Sequence, residues 1–127
     1  MNADEPVLNQ ISERIIGGAF AVANTLGSGF LEKVYEYALA YELRTRGLPV
    51  AQQRGVVVRY SGIVVGEYAA DLVVDGSVIV ELKAVRALDN IHRAQCMNYL
   101  RASGLHLCLL LNFGRPRLEI ARIVSEL

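Results

Sequence analysis

Three charged residues on two neighbouring apolar segments carry the strongest chemical signal in this chain. The stretch from Ala70 to Lys83, ADLVVDGSVIVELK, reads as two short strands joined at Asp75-Gly76. Asp71 lies on the first strand, and Glu81-Leu82-Lys83 ends the second. Val78-Ile79-Val80 is a core-type run, so charges beside it must be paired, solvated or metal-bound. Two carboxylates from adjacent strands supply the hard oxygen ligands that Mg²⁺ takes at about 2.1 Å, and the carbonyl of Leu82 is a candidate third. A cation held there polarises a phosphoryl oxygen and acidifies a bound water. Lys83 would orient that water and offset charge in the transition state. The alternative is a Lys–carboxylate pair across a sheet edge, worth less than ~1 kcal/mol.

Strand parity tests whether the three can meet. Glu81 and Lys83 are two apart and share one face, while Leu82 points to the other. A two-residue Asp75-Gly76 loop would pair Val74 with Ser77 and turn Asp71 away from Glu81. A three-residue loop or a bulge returns the acid to the same face. The site therefore predicts an odd-length loop with Gly76 in a left-handed conformation.

Further polar residues gather in two helical segments. Gly29-Phe30-Leu31-Glu32-Lys33-Val34-Tyr35 opens the second helix, and Glu32 and Glu36 lie one turn apart on one face. Glu32 is either a helix-start acid favoured by the macrodipole or a further metal ligand projecting over the sheet. Glu36 is expected to be solvated or to support the ligands from behind. On the third helix His92, Gln95 and Tyr99 share a face. His92, near the helix start, reads as a surface or capping residue. Gln95 is placed to hold a water or a phosphate oxygen, and Asn98 is either its partner or solvated. Arg86 and Arg93 are candidate phosphate contacts or plain surface cations.

The elements that must position these groups follow from periodicity. Asp4-Glu5-Pro6 starts a helix, with acids at the positive end of the macrodipole and Pro in the first turn. Ile11, Ile15, Ile16, Ala19, Ala23 and Leu26 continue it at helical spacing. Gly27-Ser28-Gly29 separates it from the next helix, with Ser28 as the expected N-cap. Leu31, Val34, Tyr35, Ala38, Leu39 and Leu43 form the second apolar stripe, closed by Gly47 and Pro49. The period then changes to two. β-Branched runs broken at Ser61-Gly62 and Asp75-Gly76 predict a three-stranded antiparallel meander ending in Val78 to Ala84. A helix from about Asn90 to Ala102 follows, then a central buried strand over Leu107 to Phe113 and a last strand over Leu118 to Val124. The order is ααβββαββ.

Composition narrows the class. At 127 residues and 53% hydrophobic, the chain is long enough for one globular domain, 1–127, with a real core. Its net charge of +0 argues against nucleic-acid binding by bulk charge, and leaves open a local grip through a metal and a few cations. Cys96 and Cys108 fall in apolar runs without metal-ligand spacing and read as core thiols. The N-terminal residues show no secretory signal, and the apolar runs are too short to span a bilayer. The chain is expected to be cytoplasmic and off the membrane.

Taken together, Gly29-x-x-Glu32-x-x-Tyr35, then GEYAADLVVDGSVIVELKAV, HRAQCMNYL and LLLNFGRPRLEIARIV, resemble the GxxExxY family of the PD-(D/E)XK nuclease-like superfamily. The resemblance runs from about Ile11 to Val124. It implies an α+β fold, an α/β sandwich with a restriction-endonuclease-like core in which helices flank a mixed β-sheet. It implies that Asp71 and Glu81 bind Mg²⁺ or Mn²⁺, that Lys83 is the catalytic lysine, and that Glu32 and Gln95 complete the site. Ala70 stands where the signature has Pro. The function implied is metal-dependent hydrolysis of nucleic-acid phosphodiesters. The alternatives are a catalytically inactive nuclease-like binding or regulatory module, and a catalytic subunit needing a partner protein. Self-association into a C₂ homodimer would lengthen the groove.

Overall fold

The computed structural model describes residues 5–126. Eight elements follow in order: α1 (Glu5–Leu26), α2 (Glu32–Thr45), β1 (Val50–Tyr60), β2 (Ile63–Val74), β3 (Val78–Lys83), α3 (Asn90–Ser103), β4 (Leu107–Asn112) and β5 (Glu119–Val124). This is the expected ααβββαββ order and an α+β architecture. Asp4, expected in the first helical turn, lies outside the described residues.

The five strands form one mixed sheet in the order β1-β2-β3-β4-β5. All neighbours are antiparallel except β3 and β4, which run parallel, with Val78 opposite Leu107 and Lys83 opposite Asn112. The parallel step needs a crossover, and α3 supplies it. Both faces are covered. Val78, Val80 and Leu82 pack with Leu107, Leu109 and Leu111 beneath α1 and α2. Ile79, Cys108 and Leu110 pack beneath Cys96, Tyr99 and Leu100 of α3. Two-sided burial is why Val78 to Val80 in β3 and Leu107 to Leu111 in β4 read as unbroken apolar runs rather than alternating ones. Cys96 and Cys108 are both buried free thiols, as expected.

The loop between β2 and β3 has three residues, Asp75 to Ser77, because Val74 pairs with Val78. Asp75 and Gly76 both adopt left-handed backbone, at φ 53° and 63°. The amide of Ser77 donates to the carbonyl of Val74 at 3.0 Å. The odd length fixes the parity: Leu72 faces Val80, so Asp71 comes level with Glu81 one step further on. The β1–β2 hairpin, by contrast, closes with two residues, Ser61 and Gly62 at φ 51° and 80°, between paired Tyr60 and Ile63.

The entry to α2 differs from expectation. Ser28 is not its N-cap: the helix begins at Glu32, Leu31 occupies the cap position, and no side chain caps it. The hydroxyl of Tyr35 organises the loop instead, donating to the carbonyl of Gly27 at 2.6 Å and accepting from the amide of Phe30 at 3.2 Å. The Tyr35 ring is fully buried and stacks on Phe113 with centroids 4.7 Å apart. Gly29 sits at φ 115°, which a side chain would strain. In the Gly-x-x-Glu-x-x-Tyr segment, the Gly and Tyr thus shape the turn that presents Glu32.

A second buried knot fixes the segment after Lys83. The Asn112 side chain accepts from the amides of Val85 and Gly114, and donates to the carbonyl of Val85 and to Glu119. The amide of Phe113 donates to the carbonyl of Lys83 at 2.8 Å. Gly114 lies so close that a Cβ there would meet the Val85 nitrogen and oxygen at 2.3 Å. Backbone cannot yield as a side-chain tip can. Gly114→Ala is therefore expected to destabilise the protein by about 3 kcal/mol, read from urea unfolding. A loss below about 0.5 kcal/mol would show that the 84–88 segment moves freely. Among the described residues, no helix is long and apolar enough to cross a membrane.

Candidate active site

Asp71 and Glu81 are locked to each other's strands by their carboxylates. The backbone amide of Asp71 donates to Glu81 Oε2 at 2.7 Å, and the amide of Leu82 donates to Asp71 Oδ2 at 2.9 Å. These side-chain bonds continue β2–β3 contact beyond the backbone pair Leu72 and Val80. Each acid thus accepts a directed hydrogen bond while keeping other oxygen lone pairs.

A distortion in β1 and β2 aims Asp71. Gln53 adopts φ 51° in the middle of β1, flanked by the pairs Gln52–Leu72 and Arg54–Ala70. Simple alternation would put Ala70 on the same face as Leu72. Instead Leu72 packs in the α1–α2 cluster and Ala70 in the α3 cluster. The strand rotates at Asp71, and the Gln53 amide bridges the gap, donating to Asp71 Oδ1 at 3.3 Å and to Glu36 Oε1 at 2.8 Å.

Glu36 corrects one expectation. It is not solvated but buried, at 3% exposure, and accepts from Lys33, Gln52 and Gln53. It stands behind Asp71 through Gln53, in the supporting position that was the other reading. Glu32, the first residue of α2, is exposed and bonds to neither Asp71 nor Glu81 directly, yet it lies within their field.

The electrostatics follow from this crowding. Burial, followed by the charge of Asp71, pushes the Glu81 carboxyl up to about 8. The Asp71 amide and Lys83 pull it back only in part. Desolvation also raises Asp71, against the hydrogen bonds from Leu82 and Gln53. Glu32 is raised by partial desolvation, with Lys83 lowering it and Asp71 and Glu36 raising it further. Two carboxylates that disfavour each other's charge in a half-dry site are a destination for a cation.

Lys83 shares the face of Glu81 and donates from Nζ to Gln95 Oε1 at 3.0 Å, and Gln95 Nε2 donates to the Tyr99 hydroxyl at 3.2 Å. This chain ties the ammonium to α3. His92 is a cap, as expected: its Nδ1 accepts from the Asp89 amide while the Asp89 carboxylate accepts from the amides of Ile91 and His92. Asn98, Arg86 and Arg93 are exposed, and Asn98 does not join the Lys83–Gln95 network.

The donor set fits a hard divalent cation. Among the described residues no three acidic, histidine or cysteine side chains converge closely enough to enclose an ion. Mg²⁺ does not require such a cage, since it is commonly held by one or two carboxylates together with waters and substrate phosphates. The Asp71–Glu81 pair meets that requirement. Glu32 does not complete a preassembled triad.

Two residues escaped sequence reading. Gln53 lies outside any charged motif, and its left-handed backbone has no signal in a Gln-Gln-Arg run. Asn112 was legible in principle as the one polar residue in LLLNF, where a buried amide must find partners.

Comparisons with known proteins bear on the family and the fold. The profile of the PD-(D/E)XK nuclease superfamily matches residues 9–123. A solved protein, described as "Crystal structure of SSO0001", shares the fold with a TM-score of 0.55 at 17% sequence identity. The alignment covers 94% of this chain and 60% of that one, so this chain spans about three fifths of that protein's length. Comparison with curated proteins finds no match.

Proposed function

Because the chain belongs to the PD-(D/E)XK nuclease superfamily, we propose that it is a metal-dependent nuclease acting at Asp71, Glu81 and Lys83. The observation that carries this reading is the interlocked Asp71–Glu81 pair, two carboxyls raised above their ordinary values, chiefly by burial, with the Lys83 ammonium beside them. A pair shaped only for stability would be an ion pair; two acids and one amine leave a surplus of negative charge once both acids are ionised.

Asp71 and Glu81 would hold Mg²⁺ or Mn²⁺, with Glu32 and the carbonyl of Leu82 as further oxygen donors. When bound, the cation polarises a phosphoryl oxygen and lowers the pKa of a coordinated water. The chain's own residues do the rest. The Leu82 amide and Gln53 fix the Asp71 carboxylate, and the Asp71 amide fixes Glu81, so neither acid must reorganise when a cation arrives. Gln95 holds the Lys83 ammonium from the side of α3, where it orients the attacking water and offsets charge growing on the phosphoryl oxygens.

The test is cleavage of single- and double-stranded DNA and RNA with Mg²⁺ and with Mn²⁺, with Asp71→Asn purified in parallel. Asn keeps an acceptor for the Leu82 amide, so the fold is retained while ligand charge is lost. Wild type is expected to cleave one of these substrates, to stop on chelation, and to lose at least about a hundredfold in the variant. Equal cleavage by both proteins would overturn the assignment.

A further inference from the structure

A cleft of about 930 Å³ opens between the β1–β2 hairpin and α3, directly beside the candidate active site. Gln95 belongs to both: it lines the cleft and holds Lys83. The remaining lining divides by chemistry. Tyr68, on the hairpin wall, is 55% exposed, and its ring lies 6.0 Å from that of Tyr99 at 42°. Val57 and Ile91 add exposed apolar surface. Among the described residues that line it, Arg59 and Arg101 are the charged ones and none is an acid.

Both arginines are available to a ligand. Several other cations are spent within the chain: Arg14 on the carbonyl of Arg46, Arg44 on that of Val50, Arg46 on Glu42, and Arg122 on Asn9. With the described residues, the side chains of Arg59 and Arg101 make no hydrogen bond or ion pair. In a chain of net charge +0, two uncommitted guanidiniums in one cleft are a local positive field.

We propose that this cleft binds an unpaired nucleotide segment adjoining the scissile phosphate, so that the substrate is single-stranded nucleic acid or a frayed end. This rests on the nuclease reading above. The occupant follows from what the walls offer. An exposed tyrosine ring stacks on any base, and arginines track the backbone, the combination used by sequence-tolerant single-strand grooves. In a duplex the base faces are already stacked on one another and closed to Tyr68. An unpaired base brings a free π face, and its phosphates lie within a side chain's length of Arg59 or Arg101. Val57 and Ile91 suit sugar and base edges and offer nothing to a second phosphate row.

Fluorescence anisotropy in EDTA, where cleavage is blocked, tests this with labelled ten-nucleotide oligothymidylate, oligouridylate and a ten-base-pair DNA duplex. One or both single strands are expected to bind wild type at least tenfold more tightly than the duplex. Tyr68→Ala is expected to weaken single-strand binding about tenfold. Arg59→Glu should weaken it too and flatten its dependence on salt. Both side chains are exposed, so neither change touches the core. Duplex binding as tight as single-strand binding, no binding by any probe, or unchanged affinity in both variants would overturn the proposal. Hydrolysis of bis-p-nitrophenyl phosphate with Mn²⁺ is read separately. Its loss in Asp71→Asn supports the nuclease reading whatever the cleft does. Cleft-dependent binding without any diester hydrolysis would keep the cleft and sink the nuclease.

Discussion

Glu81→Gln is expected to make the metal-free protein more stable at neutral pH while abolishing its response to Mg²⁺. The Glu81 carboxyl titrates near 8 in the folded chain because it is buried and faces Asp71, whereas an unfolded Glu titrates near 4.5. The folded state therefore binds this proton more tightly. Its contribution is fully present below about pH 4.5 and is lost as pH rises, until the folded group ionises near 8. At ~1.4 kcal/mol per pH unit for one proton, the penalty reaches about 3 kcal/mol by pH 7. Melting curves in EDTA from pH 5 to 9 should show wild type falling across that window and Glu81→Gln nearly flat. Millimolar Mg²⁺ should raise the wild-type melting temperature increasingly with pH, since binding needs the ionised form, and leave the variant unmoved. A wild-type curve that is flat in EDTA between pH 5 and 8 would show that Glu81 is already ionised without metal.

The second large effect separates the lysine from the acids. Lys83→Ala removes the group we propose to orient water and offset phosphoryl charge, but removes no proposed oxygen ligand. Turnover should fall by at least about a hundredfold, while the Mg²⁺-induced rise in melting temperature persists. Glu81→Ala should lose both. The metal response of Lys83→Ala should if anything grow, because an ammonium beside two carboxylates competes with the cation for their charge. Loss of the metal response in Lys83→Ala would make Lys83 a structural counter-ion to Asp71 and Glu81 rather than part of the chemistry.

Residue types made the frame of this site legible, and tertiary contacts decided its support. The parity argument worked because period-two strands leave few options: with Glu81 and Lys83 on one face, only an odd loop at Asp75-Gly76 could add Asp71, and the loop has three residues. The two-sided burial of β4 was legible from the unbroken apolar run Leu107 to Leu111. The start of α2 was not, because the group that satisfies the loop is the Tyr35 hydroxyl, from inside the helix, and a Ser after Gly looks like a better cap. The burial of Glu36 was hidden for a related reason. Its partners Gln52 and Gln53 lie 16 and 17 residues away, and neutral amides give no charge pattern to match. The left-handed Gln53 and the switch of faces at Ala70 arise only where two strands meet.

The reciprocal bonds between Asp71 and Glu81 also give the backbone a view of the chemistry. The Leu82 amide points at one carboxylate and the Asp71 amide at the other, so each nuclear resonance senses the charge of a different acid. Protonation, cation entry and substrate arrival each redistribute that charge differently. Two backbone amide signals therefore form a built-in electrometer for the site, able to follow its charge state.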